Sequence, residues 1–149
     1  MPKTKRIPLR TIAEAIDEAF SGWTQFLNTK TGEIVSLSDP VVFPWEDDEV
    51  ELAKEIDESD DYVRLPDQHE IHEFQIMEAF AASISNEYQS GRLYRALNGR
   101  KPYHHFKDEV QYLGIDSQYY AFRFSEYLVL AKQWCEQHDV PYIEEISNT

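Results

Sequence analysis

Cysteine, glycine and cationic residues are all scarce in this sequence of 149 residues. Cys135 is the single cysteine, so no disulfide can form within the chain, and a reducing, cytoplasmic setting is expected. Long apolar runs are lacking too, since no stretch approaches the roughly 18 apolar residues that a membrane-spanning helix needs. No apolar segment follows the basic start at residues 1–6. We therefore expect no secretory signal and no membrane partner.

Positive charge is scarce relative to negative charge, because 14 Lys and Arg residues stand against 28 Asp and Glu residues. The formal net charge is -14. Duplex nucleic acid is a polyanion whose binding domains carry the opposite balance, so it is not an expected partner. What the chain does have is a globular composition, with 42% apolar and 13% aromatic residues in a length that suits one domain.

Apolar periodicity and turn residues predict an α+β fold in a single domain, 1–149. A helix is predicted from Thr11 to Phe20, followed by a hairpin that Gly32 closes, with residues 62–65 as its third strand. We expect this N-terminal helix and small antiparallel hairpin or three-stranded sheet to pack on a C-terminal bundle of about four helices. The expected parts are a helix and hairpin in 1–45, an acidic helix or loop in 46–61, and a strand followed by helices in 62–140.

The four C-terminal helices are predicted from their apolar stripes and end signals. Asp67 and Glu70 have the spacing of a cap for the first helix, and Ser90 is expected to cap the second. Pro102 fits the first turn of the third helix, and Asp116 can cap the last. The stripe predicted for the last helix consists of Tyr120, Phe124, Tyr127, Leu128, Ala131 and Cys135.

Several short motifs match a known pattern, namely 62–66, 70–73, 76–80, Leu93, 96–97, Gly99-Arg100, Phe106-Lys107-Asp108, 120–123 and Trp134. In these motifs, and in 31–35 of the hairpin, the chain resembles the bacterial uncharacterised protein family 0158. The resemblance implies a bacterial protein and supplies no catalytic residues. The chain departs from the family's pattern at Lys101-Pro102, at His104-His105, where a basic pair is expected, and at Tyr119, where Trp is usual.

A basic segment, residues 92–107, is the strongest candidate for a functional site. It contains five cations, two histidines and no acid, which gives a local charge of +5. Pro102 opens a helix within it, and the free N–H groups of a helix start favour an anion. The candidate residues for binding an anion or a partner are Arg92, Arg95, Arg100, Lys101, His104, His105, Lys107 and Arg123.

Charge patterning leaves several functions open. We expect a non-catalytic protein-interaction or regulatory module, comparable to immunity proteins and antitoxins, that binds a protein partner through acidic and basic surfaces. The acidic surface would come from residues 46–61, where ten acids accompany only Lys54. One alternative is a small enzyme or sensor that binds a phosphorylated small molecule or nucleotide at 92–107. A further alternative is a module that forms homo-oligomers. In the last alternative the basic segment only pairs with the acidic segment of the same chain and binds nothing external.

No catalytic or cofactor motif accompanies these charges. His69, His72 and Glu73 share a helical surface, but they lack the spacing of a zinc-protease motif and any further ligand, so neither a metal nor a cofactor is expected. Cys135 falls on an apolar stripe late in a helix, where a buried thiol is more common than a nucleophile. No serine lies in a nucleophile elbow, and the glycines match no phosphate-binding loop, so the sequence does not predict an enzyme.

Overall fold

The computed structural model describes residues 6–19, 22–66 and 71–144. The chain divides into two compact units, the first formed by 1–71 with 127–149 and the second by 72–126. Within the described ranges it contains six helices and five strands, an α+β fold with an N-terminal sheet and C-terminal helices, which confirms the predicted fold class. The single domain expected over 1–149 stays a prediction, because compactness does not test whether the units fold independently.

A short strand and a helix begin the first unit. Strand β1 (Ile7–Pro8) pairs in parallel with strand β5 (Tyr142–Ile143) near the other end of the chain. Helix α1 (Leu9–Asp17) follows directly and therefore starts before the predicted Thr11. The earlier start has a packing reason, because the side chain of Leu9 is already buried. Phe20, the predicted end of this helix, lies outside the described residues.

The first unit contains a three-stranded antiparallel sheet made of β2 (Trp23–Asn28), β3 (Ile34–Ser38) and β4 (Tyr62–Arg64). The strand order is β3-β2-β4, so β2 is central. Phe26 of β2 lies opposite Val35 on one side and Arg64 on the other. The third strand predicted at 62–65 is confirmed, and it supplies the support that a two-stranded hairpin lacks in water.

Asn28 and Gly32 close the hairpin between β2 and β3. The side-chain oxygen of Asn28 accepts hydrogen bonds from the backbone N–H groups of Lys30 and Thr31, at 2.9 and 3.2 Å. Gly32 has a φ of 80°, a left-handed conformation that glycine adopts without steric cost. The turn sets the register of the hairpin, because an Asx-type turn followed by glycine fixes which residues face each other.

Residues 47–58 form a helix, which decides between the helix and the loop that the sequence left open. Helix α2 (Asp47–Glu58) begins with a capping box in which Glu46 and Glu49 exchange side-chain hydrogen bonds with each other's backbone N–H groups. The acids of its first turn also interact favourably with the helix dipole. None of its 12 residues is buried, so α2 is a surface helix.

Helices build the second unit: α3 (Glu73–Ser83), α4 (Glu87–Leu97), α5 (Pro102–Tyr112) and the first part of α6 (Asp116–Gln137). Phe80, Phe106 and Tyr119 form the aromatic centre of this unit, with ring centroids 5.1 to 6.3 Å apart in edge-to-face arrangements. The buried cluster around them also contains Met77, Ala81, Leu93, Leu97, Val110 and Ile115.

One predicted cap in this unit is wrong. Asn86 caps α4, because its side-chain oxygen accepts a hydrogen bond from the backbone N–H of Gln89 at 3.1 Å. Ser90 lies inside the helix, and its hydroxyl donates to a backbone oxygen of α3 at 2.8 Å. The cap predicted from Asp67 and Glu70 lies outside the described residues. Pro102 is at the start of α5 as predicted.

Helix α6 contributes to both units, because the division between them falls at Tyr127. In the second unit the predicted stripe is wrong by one position, since Tyr119 is buried and Tyr120 is 48% exposed. In the first unit Ala131 and Cys135 are buried as predicted. A single stripe cannot describe this helix, because it serves two cores in turn. Asp116, the predicted cap, is its first residue.

The core of the first unit joins the end of α6 to the sheet. Trp134 donates a hydrogen bond from Nε1 to the backbone oxygen of Arg64 at 2.8 Å, and its ring is buried. Other buried residues of this unit are Ile7, Leu9, Ile12, Ala13, Ala15, Ile16, Leu27, Leu37, Ser38, Leu65, Ile71, Tyr127, Ala131, Cys135 and Val140. Across the described ranges, no helix has the combination of length and apolarity needed to cross a membrane.

The neighbours Tyr119 and Tyr120 provide a matched test of the core. We expect Tyr119→Ala to lower the free energy of unfolding by about 3–5 kcal/mol, as large-to-alanine changes in a packed core do. Tyr120→Ala should lower it by less than about 1 kcal/mol, because half of that ring is already in water. Urea unfolding followed by circular dichroism measures both, and equal losses would contradict the assignment of Tyr119 to the core.

Candidate functional site

Acidic side chains dominate the surface of α2. The helix carries seven acids and one lysine, a net charge of -6. Among the residues that the structure describes, none of these carboxylates forms an ion pair with a lysine or arginine. Glu49 and Glu55 instead accept hydrogen bonds from the neutral hydroxyls of Ser38 and Tyr62. The bond to Glu55 raises the pKa of Tyr62 above its ordinary value. The charge of α2 is therefore displayed to solvent.

Three consecutive apolar side chains are exposed just before α2. Residues 41–43 (Val-Val-Phe), named the apolar loop here, are 89%, 56% and 47% exposed. A proline stands on each side of them, at 40 and 44. Trp23 at the start of β2 extends this surface, because its ring centroid lies 5.9 Å from that of Phe43. Single exposed apolar residues are ordinary on protein surfaces, but a contiguous group is typical of an interaction site.

Hydrogen bonds fix the apolar loop in one conformation. The backbone N–H groups of Val42 and Phe43 donate to the backbone oxygen of Asp39 at 3.0 and 2.8 Å. The N–H of Val41 donates to the side-chain oxygen of the same aspartate at 2.9 Å. These bonds form a tight turn at Asp39. The turn fixes the backbone of the apolar loop so that its three side chains point outward.

Ser38 joins the apolar loop to the first turn of α2. Its hydroxyl lies within hydrogen-bond distance of the backbone oxygen of Phe43, at 3.1 Å, and of the Glu49 carboxylate, at 3.2 Å. Its backbone oxygen accepts a hydrogen bond from Nε1 of Trp45 at 2.7 Å. Apolar and acidic groups consequently form one continuous surface on the first unit, with Trp23 paired opposite Ser38 in the sheet.

Arg92, the first residue of the basic segment, is bound to a carboxylate of its own unit. Its guanidinium makes a forked contact with Glu109, with Nε 2.7 Å from Oε2 and Nη2 2.6 Å from Oε1. It also lies 4.8 Å from the centre of the Tyr112 ring. The hydrogen bonds from Arg92 lower the pKa of the Glu109 carboxyl, and they raise the pKa of Arg92. Arg92 is therefore not available to an external anion.

Two further candidates are also paired within the second unit. Arg123 donates from Nε to the Glu73 carboxylate at 2.7 Å, and both side chains are 22% exposed. His104 lies one helical turn from Asp108, with Nε2 3.2 Å from Oδ2. The charge of +5 read from the sequence overstates the field of this surface, because the neutralising acids come from outside residues 92–107.

Four cations of the basic segment keep their charge exposed. Arg95, Arg100, Lys101 and Lys107 form no ion pair within the described parts of the chain. They lie on α4, on the turn that follows it, and on α5. Lys101 precedes α5 with a φ of 49°, and no side chain caps this helix. These four residues are what remains of the predicted anion-binding patch.

An open groove of about 550 Å³ lies between α4 and α5. Its lining residues are Arg92, Arg95, Ala96, His105, Asp108, Glu109 and Tyr112. The groove brings His105 together with the unpaired Arg95, but it also contains two carboxylates, of which the Arg92 contact neutralises only one. Its mixed charge makes it a weaker anion site than the sequence alone indicates.

The remaining chemical candidates are not assembled into a site. His69 lies outside the described residues, and His72 is exposed immediately before α3. Glu73 already accepts hydrogen bonds from Arg123 and from the Tyr119 hydroxyl. No group of three metal-binding side chains occurs in the part of the chain that the structure describes. Burial raises the pKa of Cys135 to about 11, which disfavours the reactive thiolate.

The sequence interpretation missed the apolar loop. The available signal was the composition of residues 40–45, Pro-Val-Val-Phe-Pro-Trp, in which apolar residues stand between two prolines beside a dense acidic run. Prolines disfavour both helix and central strand, so such a segment has no regular element in which to bury its side chains.

In comparisons with known proteins, no family model, curated protein or solved structure matches the chain.

The Arg92–Glu109 contact predicts a pH dependence of stability. The pKa of Glu109 is lowered in the folded state by the hydrogen bonds from Arg92. Its contribution to stability is therefore present above the ordinary pKa of the unfolded chain and is lost as the pH falls through the folded-state pKa. We expect Glu109→Gln to be less stable than the wild type at pH 7, with the difference shrinking as the pH is lowered towards 3. Urea unfolding at several pH values measures this difference. Glu78→Gln, an exposed change in α3, is the control, and a pH-independent deficit in Glu109→Gln would refute the assignment.

Proposed function

We propose that the protein is a non-catalytic interaction module that binds a protein partner with a basic surface through the acidic face of α2. The observation that carries the proposal is the set of exposed carboxylates on α2 that form no ion pair in the described chain. Such carboxylates attract a cationic partner over a distance of about 8–10 Å at physiological salt. They can pair with it without first breaking an internal salt bridge.

A regulatory role fits this surface. A dense array of carboxylates resembles the charge of nucleic acid, so it can occupy the groove of a basic partner and block it, as immunity proteins and antitoxins do. The bacterial setting that the resemblance to family 0158 implies is part of this proposal, and so is the cytoplasmic setting expected from the single cysteine. The single cysteine, Cys135, is compatible with a reducing compartment.

Affinity capture with a charge-matched pair of variants tests the proposed face. The test variant is Glu51→Gln/Asp57→Asn, which removes two exposed carboxylates from α2. The control is Glu33→Gln/Glu78→Gln, which removes the same net charge from exposed positions outside α2. We expect the immobilised wild type to retain a protein from native lysate at low salt and to release it at high salt. Retention by the test variant should fall about tenfold, and retention by the control should be unchanged.

The control makes a nonspecific result recognisable. Any protein with a charge of -14 retains some basic proteins, and both variants reduce that background equally. Two results would count against α2 as the binding face. In one, both variants retain the captured protein equally poorly; in the other, both retain it as well as the wild type does.

The four unpaired cations support a second candidate function, a sensor or small enzyme that binds a phosphorylated small molecule or nucleotide. Arg95 and Lys107 lie on the helices that flank the turn carrying Arg100 and Lys101. The start of α5 has backbone N–H groups without a side-chain cap, and these favour a phosphate. This candidate ranks below the first, because Arg92, His104 and Arg123 are already paired.

Thermal-shift measurements with nucleotides and sugar phosphates test the second candidate. A ligand at about 100 times its Kd should stabilise the wild type by about 2.7 kcal/mol. Arg100→Glu should lose this stabilisation, because the variant replaces an exposed cation with a charge that repels phosphate. Lys54→Glu, a matched change on α2, should keep it. An equal shift in Arg100→Glu and in the wild type would exclude these cations as the binding site.

A further inference from the structure

We infer that the apolar loop and Trp23 form the docking surface for a cationic amphipathic segment of the protein partner. Apolar side chains of that segment pack on Phe43, Val41 and Trp23, and its Lys or Arg side chains face the first turn of α2. The inference rests on the proposed function, because it specifies the chemistry of the partner that the acidic face attracts. It also assigns a role to a surface that the carboxylates alone do not explain.

Exposure of the apolar loop is the first argument. Val41 is 89% exposed, so its side chain gains almost nothing from the folding of its own chain, and Val42, at 56% exposed, is covered only in part. Covering such a side chain removes apolar surface from water, which stabilises a complex before the costs of association are subtracted. Three consecutive exposed apolar residues are otherwise a liability for aggregation. A partner that covers them removes that liability.

Rigidity of the apolar loop is the second argument. Three backbone N–H groups bond to Asp39, and the Ser38 hydroxyl reaches the backbone oxygen of Phe43. The flanking prolines restrict the backbone further. A backbone that is already held by hydrogen bonds loses less conformational entropy on binding, so a given contact area yields more affinity. Phe43 and Trp23 also form a tilted aromatic pair, and aromatic residues dominate the energetics of interfaces.

Charge complementarity selects the occupant. The Ser38 hydroxyl lies 3.1 Å from the backbone oxygen of Phe43 and 3.2 Å from the Glu49 carboxylate, so the apolar loop lies close to the first turn of α2, which also contains Asp47 and Asp48. A partner segment that covers the apolar loop therefore comes close to several carboxylates, and it is favoured if it carries cations. A second copy would bring the same acidic turn and a net charge of -14 to the interface. An anionic lipid surface would be repelled in the same way.

A synthetic amphipathic helical peptide of leucine and lysine is a suitable probe. Its affinity for the full chain is measured by fluorescence anisotropy at several salt concentrations, beside a peptide in which serine replaces every leucine. We expect Phe43→Ser to weaken binding of the leucine peptide about tenfold, which corresponds to roughly 1.4 kcal/mol, without changing the salt dependence. Tyr120→Ser is the matched control, because Tyr120 is 48% exposed and Phe43 is 47% exposed. Val41→Ser is a second variant, and its side chain is too exposed to affect folding.

The two charge variants separate failure of this inference from failure of the proposed function. If Phe43→Ser and Val41→Ser bind as the wild type does, while Glu51→Gln/Asp57→Asn binds more weakly than its control, the docking role of the apolar loop is refuted and the acidic face stands. If the α2 variant also binds normally, both proposals are refuted.

The other possible occupants of the apolar loop would give different results. Concentration-dependent dimers, or binding to phosphatidylcholine vesicles, that disappear in Phe43→Ser would assign the apolar loop to a second copy or to lipid and overturn the inference.

Discussion

The hydrogen bonds at Ser38 hold together the surface on which the proposed function depends. Ser38 is 3% exposed, and one residue links the sheet, the apolar loop and the first turn of α2. A buried hydroxyl or carbonyl without a hydrogen-bond partner raises the free energy of the folded state, so the fold is restricted to arrangements that supply partners. Here the partners are Phe43, Glu49 and Trp45. Satisfying a single buried serine therefore brings apolar and acidic groups side by side.

Pairing separates the two charged regions more sharply than their sequences do. In the second unit Glu109 pairs with Arg92 and Glu73 pairs with Arg123, and each of these contacts joins two helices. His104 contacts Asp108 within its own helix. On α2 the hydrogen bonds that the described carboxylates accept come from hydroxyls or from a backbone N–H group, and the other carboxylates face solvent. Unpaired charge acts at a distance on other molecules, whereas paired charge acts mainly on the fold. For this reason the acidic face, and not the basic segment, supports the leading proposal.

Local signals predicted the elements well where one interaction within a few residues decides the structure. The hairpin followed from Gly32 and the strand residues around it, and the start of α5 followed from Pro102. Prediction was wrong where distant contacts decide. Leu9 extends α1 because its side chain is buried, and Tyr119 replaces Tyr120 in the core because α6 serves two units. Ser90 was a plausible cap, but its hydroxyl bonds to the preceding helix, and Asn86 caps α4 in its place.

The sequence by itself determined the α+β class, the hairpin with its third strand, the C-terminal helices, the acidic character of 46–61 and the lack of an internal disulfide, because composition and short-range periodicity are properties of the chain alone. Only the tertiary structure decided which charged side chains form internal ion pairs and which apolar side chains remain exposed to solvent. Those outcomes depend on residues far apart in the chain, such as Arg123 and Glu73. The apolar loop shows this division directly. The prolines at 40 and 44 indicate a segment without helix or strand, but only the fold shows that no neighbouring element of the described chain covers Val41.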